Sequence, residues 1–418
     1  MRTKTYQERL FFKETSDEVR LKFLLFIISP VLAFAYSLRK INTKSSFVIF
    51  YLFAVVFGIS FTNTQHPEAV GSLDSARYIY WFSQYQNVSL DEFLSNLKTY
   101  LSFNTENKDF FFNTVAFVVS RITMNYHVLF CVMAMIFAYF QLKTLKFLVC
   151  KKEYRNCLLG LLLCFLFTYN GIFNINGIRF WLAAWICVLC LFKIYIVGNK
   201  NYYFLALVLP FVHGAYFLIW GVFLLIAFFR RYEKVWLIVV GMSFILSGVA
   251  ISISVESADS LPPFLSKMVS NYTNDIAIEN SQFKTSKYAM LKMLFEYLKL
   301  FYVFLMTFYL IRERRKRTQV DVGDNNIYQA ILVWVSFCNF SMSIPAVGRR
   351  FIIVAYPLLA YLWLSFFGLK RHNWVLYFLP VAFFYDLFRQ IPVCYTTVLE
   401  PEFFFASPIY LIIKNLII

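Results

Sequence analysis

Residues 202–229 read YYFLALVLPFVHGAYFLIWGVFLLIAFF, a run of 28 without a formal charge, interrupted in the middle by Pro210 and His213. A helix needs about 20 apolar residues to cross a bilayer. The proline removes a backbone donor and Gly214 permits a turn, so two segments, 202–212 and 213–229, are expected to meet at 210–214. Basic residues flank both outer ends, Lys193 and Lys200 before, Arg230, Arg231 and Lys234 after. Cytoplasmic loops retain positive charge, so both outer ends are expected in the cytoplasm and the His213 hinge toward the opposite, external side.

The rest of the chain follows the same pattern. Of its 418 residues 60% are hydrophobic, 21% aromatic and only 15% charged, with a mean hydropathy of +0.61. A soluble domain carries about a quarter of its residues charged, so the solvent for most of these side chains is lipid. Further apolar runs cover 21–38, 47–62, 126–145, 156–174, 178–197, 235–254, 290–311, 327–346, 351–369, 373–388 and 403–417. The expected fold is therefore an all-α polytopic membrane protein of about 12–13 transmembrane helices, some broken or short. It forms one transmembrane domain over residues 1–418 with two long external loops, 63–125 and 255–289.

Loops 39–46, 146–155, 198–201, 230–234, 312–326 and 370–372 become cytoplasmic on this map, and 175–177, 347–350 and 389–402 join the two long loops outside. Residues 110–124, with Arg121 and too few apolar positions to cross, are expected as an amphipathic helix lying on the surface. One conflict stands: the map leaves the N-terminus outside, although residues 1–22 carry six basic against four acidic side chains.

The net charge of +17 does not point to nucleic acid. Its basic residues recur at span ends, as in Arg39-Lys40, Lys151-Lys152, Arg230-Arg231, Arg312 to Arg317 and Lys370-Arg371, where the orientation rule alone places them. The eight cysteines lie mostly in apolar runs and read as small hydrophobes; Cys187 and Cys190 have CxxC spacing with no second ligand pair nearby. No nucleotide loop, HExxH or spaced Cys/His cluster occurs, so neither a metal nor a cofactor is expected. The charged first 20 residues do not read as a cleavable signal.

A few residues run against the orientation rule. Arg179, Arg349 and Arg350 stand at external mouths of spans, where a guanidinium either snorkels to head groups or grips an anion such as phosphate with its fork. Arg179 follows the polar stretch 170–177, with Asn170, Asn174 and Asn176, and opens the helix after it; there its charge opposes the helix dipole, which favours an anionic partner. His213 is either a structural donor or a general base. Residues 74–81, Asp74-Ser75-Ala76-Arg77-Tyr78-Ile79-Tyr80-Trp81, suit carbohydrate, with an interfacial aromatic belt and a local Asp–Arg pair as the alternative. Asp386 and Arg389, at the external end of a late span, either extend a polar cavity there or cap it.

These pieces, in this order, resemble the bacterial O-antigen and exopolysaccharide polymerases of the Wzy type, in particular their EpsG-like branch. The match runs from a basic first loop (Arg39, Lys40, Lys44) through Asp74 to Trp81, Asn176-Gly-Ile-Arg179-Phe-Trp-Leu-Ala183 and Phe211-Val-His213-Gly-Ala215 to Arg349-Arg350 before Phe351 to Tyr356. The resemblance implies a multi-pass protein of the bacterial inner membrane, GT-C-like in architecture. Its activity would be metal-independent, inverting glycosyl transfer between undecaprenyl diphosphate-linked glycans, facing the periplasm. It further implies Arg179 with Arg349 or Arg350, assisted by Arg77, Tyr78 and Asn176, on the diphosphate and substrate, and His213 or Asp74 as base. A chain-length regulator of the Wzz type and a flippase would be the partners. Rival readings are an O-antigen ligase, another lipid-linked-sugar glycosyltransferase, or the flippase itself.

Overall fold

The computed structural model describes residues 11–68, 73–102, 109–149, 159, 162, 169–246, 289–344, 347–368, 371–393 and 398–416. Most of the expected span 156–174, the end of 235–254 and the expected loop 255–289, save its last residue, lie outside the described residues. So do Cys150, Cys157, Cys164, Cys394 and Lys370, and the side chain of Arg389. The described residues are helical, with no strand beyond two isolated bridges. Among the described residues four helices are long and apolar enough to cross a membrane, Tyr126–Val149, Ile172–Val197, Met293–Lys316 and Gly348–Phe366, and five shorter apolar helices accompany them. The protein is an all-α polytopic membrane protein.

The chain divides into two compact units. A terminal unit takes residues 7–97, 110–185 and 386–418, and a central unit takes 98–109 and 186–385.

The terminal unit is built on the pair Lys44–Ile59 and Tyr126–Val149. Glycine sets their approach: a Cβ on Gly58 would stand 2.6 Å from the Phe130 carbonyl oxygen and 2.8 Å from Cys131 Cα, so only glycine lets the two backbones come this close. Each end of the unit gathers particular residues. At one end Phe12 N donates to Asn42 O (3.1 Å), and Lys146 lies 5.0 Å from the Phe11 ring. The other end collects the exits of these helices, where Thr62 N donates to Val398 O (3.0 Å) and Glu400 N to Ser60 O (3.4 Å).

Two expected spans take a different form in this unit. The run 21–38 breaks at Ser29, which caps the helix Pro30–Ser37 with proline at its start, and the helix Ser16–Ile28 before it packs against the one after it. The run 403–417 yields the short helix Pro408–Leu416, whose Asn415 reaches back to Glu400 (3.1 Å). Neither run is a continuous helix. Hydropathy registers the length of an apolar run but not a reversal within it.

The surface-lying helix expected at 110–124 is present as Phe111–Ser120, yet its Phe111, Phe112, Val115, Ala116, Phe117 and Val119 are buried. It is covered by neighbours: Tyr78 stacks on Phe112 (4.8 Å) and Phe93 on Phe117 (4.1 Å).

The central unit packs Val322–Phe340 against Gly348–Phe366, with Glu233–Ile245, Phe217–Phe229 and Ala289–Lys316 around them. Trp334 and Trp363 are fully buried there, and Trp334 Nε1 donates to Phe351 O (3.0 Å). The run 202–229 folds as two arms. Helices Tyr202–Leu207 and Leu209–Val212 lead to an extended His213 and the turn Gly214–Tyr216, and Phe217–Phe229 returns. Trp220 Nε1 donates to Ala206 O (3.1 Å), which a straight helix could not arrange. The outer ends meet in a basic, aromatic layer, where Arg230 lies 4.7 Å from the Tyr195 ring and Lys193 5.7 Å from Tyr202. Glu313, nearly buried, takes Arg371 (2.9 Å) and Arg317 (3.3 Å) at the end of Ala289–Lys316, so part of the basic cluster 312–317 is neutralised within the fold.

Candidate functional site

The residues singled out in the sequence fall into two groups, one in each unit. Five belong to the terminal unit. Asp74, Arg77 and Tyr78 lie on the helix Asp74–Gln84, and Asn176 and Arg179 lie on the 3-10 turn Ile172–Gly177 and the helix Ile178–Phe192. A knot of small polar groups joins these elements. Asn176 Oδ1 accepts from Ser75 Oγ (2.7 Å) and Ser75 N (3.3 Å), and Asn63 Nδ2 donates to the same Ser75 hydroxyl (2.7 Å). Ser75 is completely buried. Leaving such a group unpaired costs about 1–3 kcal/mol, so the knot fixes Asn176, and through it the start of the arginine-bearing helix, against Asp74–Gln84.

Arg179 is held from that helix. Its Nε donates to the Tyr78 hydroxyl (3.0 Å), and its guanidinium carbon lies 5.5 Å from the Tyr78 ring centroid. Tyr78 is 1% exposed and stacked on Phe112; its ring has no open face for a sugar. Its contribution is to orient Arg179. The exposed rings of the same helix are Tyr80 (53%) and Trp81 (38%), and Trp81 packs edge-on against Phe112 at 5.8 Å.

Asp74 and Tyr78 are four residues apart and so share a helix face. The Asp74 carboxylate also borders the 3-10 turn, with Oδ2 3.4 Å from where a Gly177 Cβ would be; a side chain there would crowd it. Arg77 pairs with Asp74 at 3.5 Å, both nearly half exposed. The local Asp–Arg pair weighed against the carbohydrate reading therefore exists. An exposed pair of this kind contributes about 0–1 kcal/mol, so a ligand can exchange it readily.

Three residues belong to the central unit. His213 sits at the turn between the two arms, its Nδ1 accepting from Ala215 N (3.2 Å). Its ring is 6.3 Å from that of Tyr216, which in turn meets Phe351 edge-on at 5.1 Å. Phe351 follows Arg349 and Arg350 in the first turn of Gly348–Phe366. Gly348 permits this entry: a Cβ there would stand 2.6 Å from the Ser341 carbonyl. Arg349 is half-buried and Arg350 exposed. His213 is thus linked through the rings of Tyr216 and Phe351 to the helix whose first turn carries the arginine pair. Tyr100, from the first long loop, reaches the same turn, donating to Pro210 O (3.2 Å). Burial, and secondarily Asp109, push its hydroxyl up to about 12, so it remains a donor.

The sequence reading missed Asn63, Ser75 and Tyr100 as organisers. Ser75 lies inside the 74–81 motif and carried a signal; Asn63 and Tyr100 had none, because their roles depend on partners 12 and 110 residues away. Among the described residues no three His, Cys, Asp or Glu side chains gather as a metal-binding group.

No curated protein and no solved structure matches the chain. The EpsG family model matches residues 68–399, which takes in both groups of residues and well over half of the 418-residue chain: the protein belongs to the EpsG family.

Proposed function

We propose that the protein joins lipid-linked oligosaccharide units into a polysaccharide by inverting glycosyl transfer, with undecaprenyl diphosphate as the leaving group, at the periplasmic face of a bacterial inner membrane. Membership of the EpsG family supports a polysaccharide-polymerase-type role in general. The finer reading rests on one observation above all: Arg179, oriented through Nε by a buried tyrosine, shares a site with the accessible carboxylate of Asp74.

The reaction needs an anion grip and a proton acceptor. As the acceptor hydroxyl oxygen attacks the anomeric carbon, the bond from that carbon to the diphosphate breaks and negative charge grows on the phosphate. An oriented guanidinium stabilises that charge, and its fork matches two phosphate oxygens. The proton from the acceptor hydroxyl passes to a base. Of the two candidates, Asp74 suits the task better. His213 uses Nδ1 as an acceptor from Ala215 N, so its neutral ring carries the proton on Nε2 and presents a donor. In that tautomer His213 is a candidate hydrogen-bond donor to an anion held by Arg349 or Arg350 within the central unit. Tyr80 and Trp81 offer rings on which a sugar face can stack.

The experiment compares lipid-linked glycans in a strain lacking the gene with those in strains carrying the wild type or Arg179→Lys. Single lipid-linked units should accumulate on the periplasmic side of the null strain, and Arg179→Lys should restore only a small remnant of the polymer ladder, because a point charge lacks the fork. Full-length polymer left unattached in the null strain would identify a ligase instead, and units confined to the cytoplasmic side would identify a flippase.

A further inference from the structure

Both ends of the described chain make hairpins that stop short of crossing the terminal unit. In the first, residues on either side of the reversal return to one place. Lys22 Nζ donates to Thr43 Oγ1 (3.0 Å), Ser45 Oγ (2.9 Å) and Ser46 Oγ (2.6 Å) and pairs with Glu14, while Ser46 Oγ donates to Ser37 O (3.0 Å). Lys40 pairs with Glu18. Residues 14–22 and 37–46 therefore lie at the same end of the unit, the end that Lys146 also occupies.

The second hairpin starts from the other end. Phe61 bridges Leu399, Lys414 pairs with Glu402 (3.2 Å) and Glu400 (3.4 Å), and Asn125 Nδ2 donates to Asn415 O (2.7 Å). Between these ties the chain dips along Lys44–Ile59, with Phe403 touching Phe57 and then Phe53, each at 5.5 Å. Phe53 also meets Phe34 of the first hairpin at 4.5 Å. The two turns use the same device. Ser29-Pro30 and Ser407-Pro408 each place a serine hydroxyl under the returning helix, accepting from Leu32 N (3.4 Å) and Tyr410 N (3.2 Å).

We infer that residues 21–38 and 401–416 are two half-membrane hairpins, entering the terminal unit's wall from opposite leaflets and meeting at Phe53, with their outward faces covered by lipid acyl chains. The lengths fit. Pro30–Ser37 and Pro408–Leu416 have 8 and 9 residues, about 12 and 13 Å at 1.5 Å per residue. Each is less than half of a hydrocarbon core of about 30 Å, and end to end they nearly fill it. The outward faces are apolar, with Leu24, Ile27, Ile28 and Leu32 exposed on one hairpin and Phe405, Ile409, Tyr410 and Ile413 on the other. Their mouths are the polar, ion-paired ends. The arrangement puts the basic N-terminal arm beside the loop 39–46 and the C-terminal helix at the opposite end. Both hairpins fall outside the family match at 68–399, so the inference does not depend on the proposed reaction.

Reporter fusions to the full chain test it. Green fluorescent protein at the N-terminus should fluoresce, and alkaline phosphatase at the C-terminus should be active. A fluorescent C-terminal fusion with silent phosphatase there, or active phosphatase at the N-terminus, would mean that one run crosses after all and would overturn the inference. Depth is tested separately by nitroxide labels on Ile28→Cys and Phe405→Cys, with the eight native cysteines replaced, in phosphatidylethanolamine–phosphatidylglycerol vesicles. Collisions with oxygen should exceed those with a water-soluble nickel complex at both positions. Nickel-dominated relaxation at either would place that turn in water and refute the insertion.

Discussion

Tyr78→Phe isolates a single hydroxyl. The substitution keeps the ring and its stack on Phe112 (4.8 Å, 22°) while removing the group that accepts from Arg179 Nε at 3.0 Å. A hydrogen bond involving a charged group is worth about 1.5–3 kcal/mol. At about 1.4 kcal/mol per factor of ten, the loss of orientation should lower kcat/KM for lipid-linked units by about 10- to 100-fold. Because the buried volume hardly changes, the melting temperature in detergent should move by no more than about 2–4 °C. The assay is polymer formation by the purified protein in vesicles, from synthetic lipid-linked repeat units. The coupling is the sharper part: in an Arg179→Lys background, where the fork is already gone, Tyr78→Phe should have little further effect. An unchanged kcat/KM for the single variant, or full additivity of the two, would show that Tyr78 does not act through Arg179.

Two further outcomes follow from the geometry. Asp74→Asn should stop chain extension, whereas His213→Asn, which keeps a side-chain acceptor for Ala215 N, should retain measurable polymerisation; the reverse ranking on a glycan gel would make His213 the base. Gly58→Val sets a Cβ 2.6 Å from Phe130 O and should destabilise the terminal unit by about 1–3 kcal/mol, read as a lowered melting temperature in detergent, and an unchanged value would contradict the close helix approach.

Some of this was legible from the residues alone. The broken run 202–229 announced itself because Pro210 and Gly214 interrupt an otherwise uncharged stretch, and the arms do fold back on each other. The group Asp74, Arg77, Tyr78, Asn176 and Arg179 could be named from charge, aromatic residues and the polar stretch before Arg179, although the sequence did not reveal that Tyr78 is buried and hydrogen-bonded to Arg179. The breaks in 21–38 and 403–417 were hidden because a span is recognised by the length of its apolar run. Ser29-Pro30 and Ser407-Pro408, the local signals of a break, sit unnoticed inside such runs. Lys22 was a second clue, since a lysine among apolar residues needs partners, and those it finds are about 20 residues onward. The hairpin inferred for 21–38 would also remove the conflict that the charge-based map leaves at the N-terminus.

The knot of Asn63, Ser75 and Asn176 makes Arg179 and the aromatic rim of Asp74–Gln84 mechanically one body. On the proposed reaction, a glycan that shifted the rim as it docked would drag the guanidinium along, so that sensing the sugar and seizing its phosphate would become a single movement rather than two. If that reading holds, polymers of different composition would be accommodated by altering Tyr80 and Trp81 alone, leaving the proposed phosphate grip untouched.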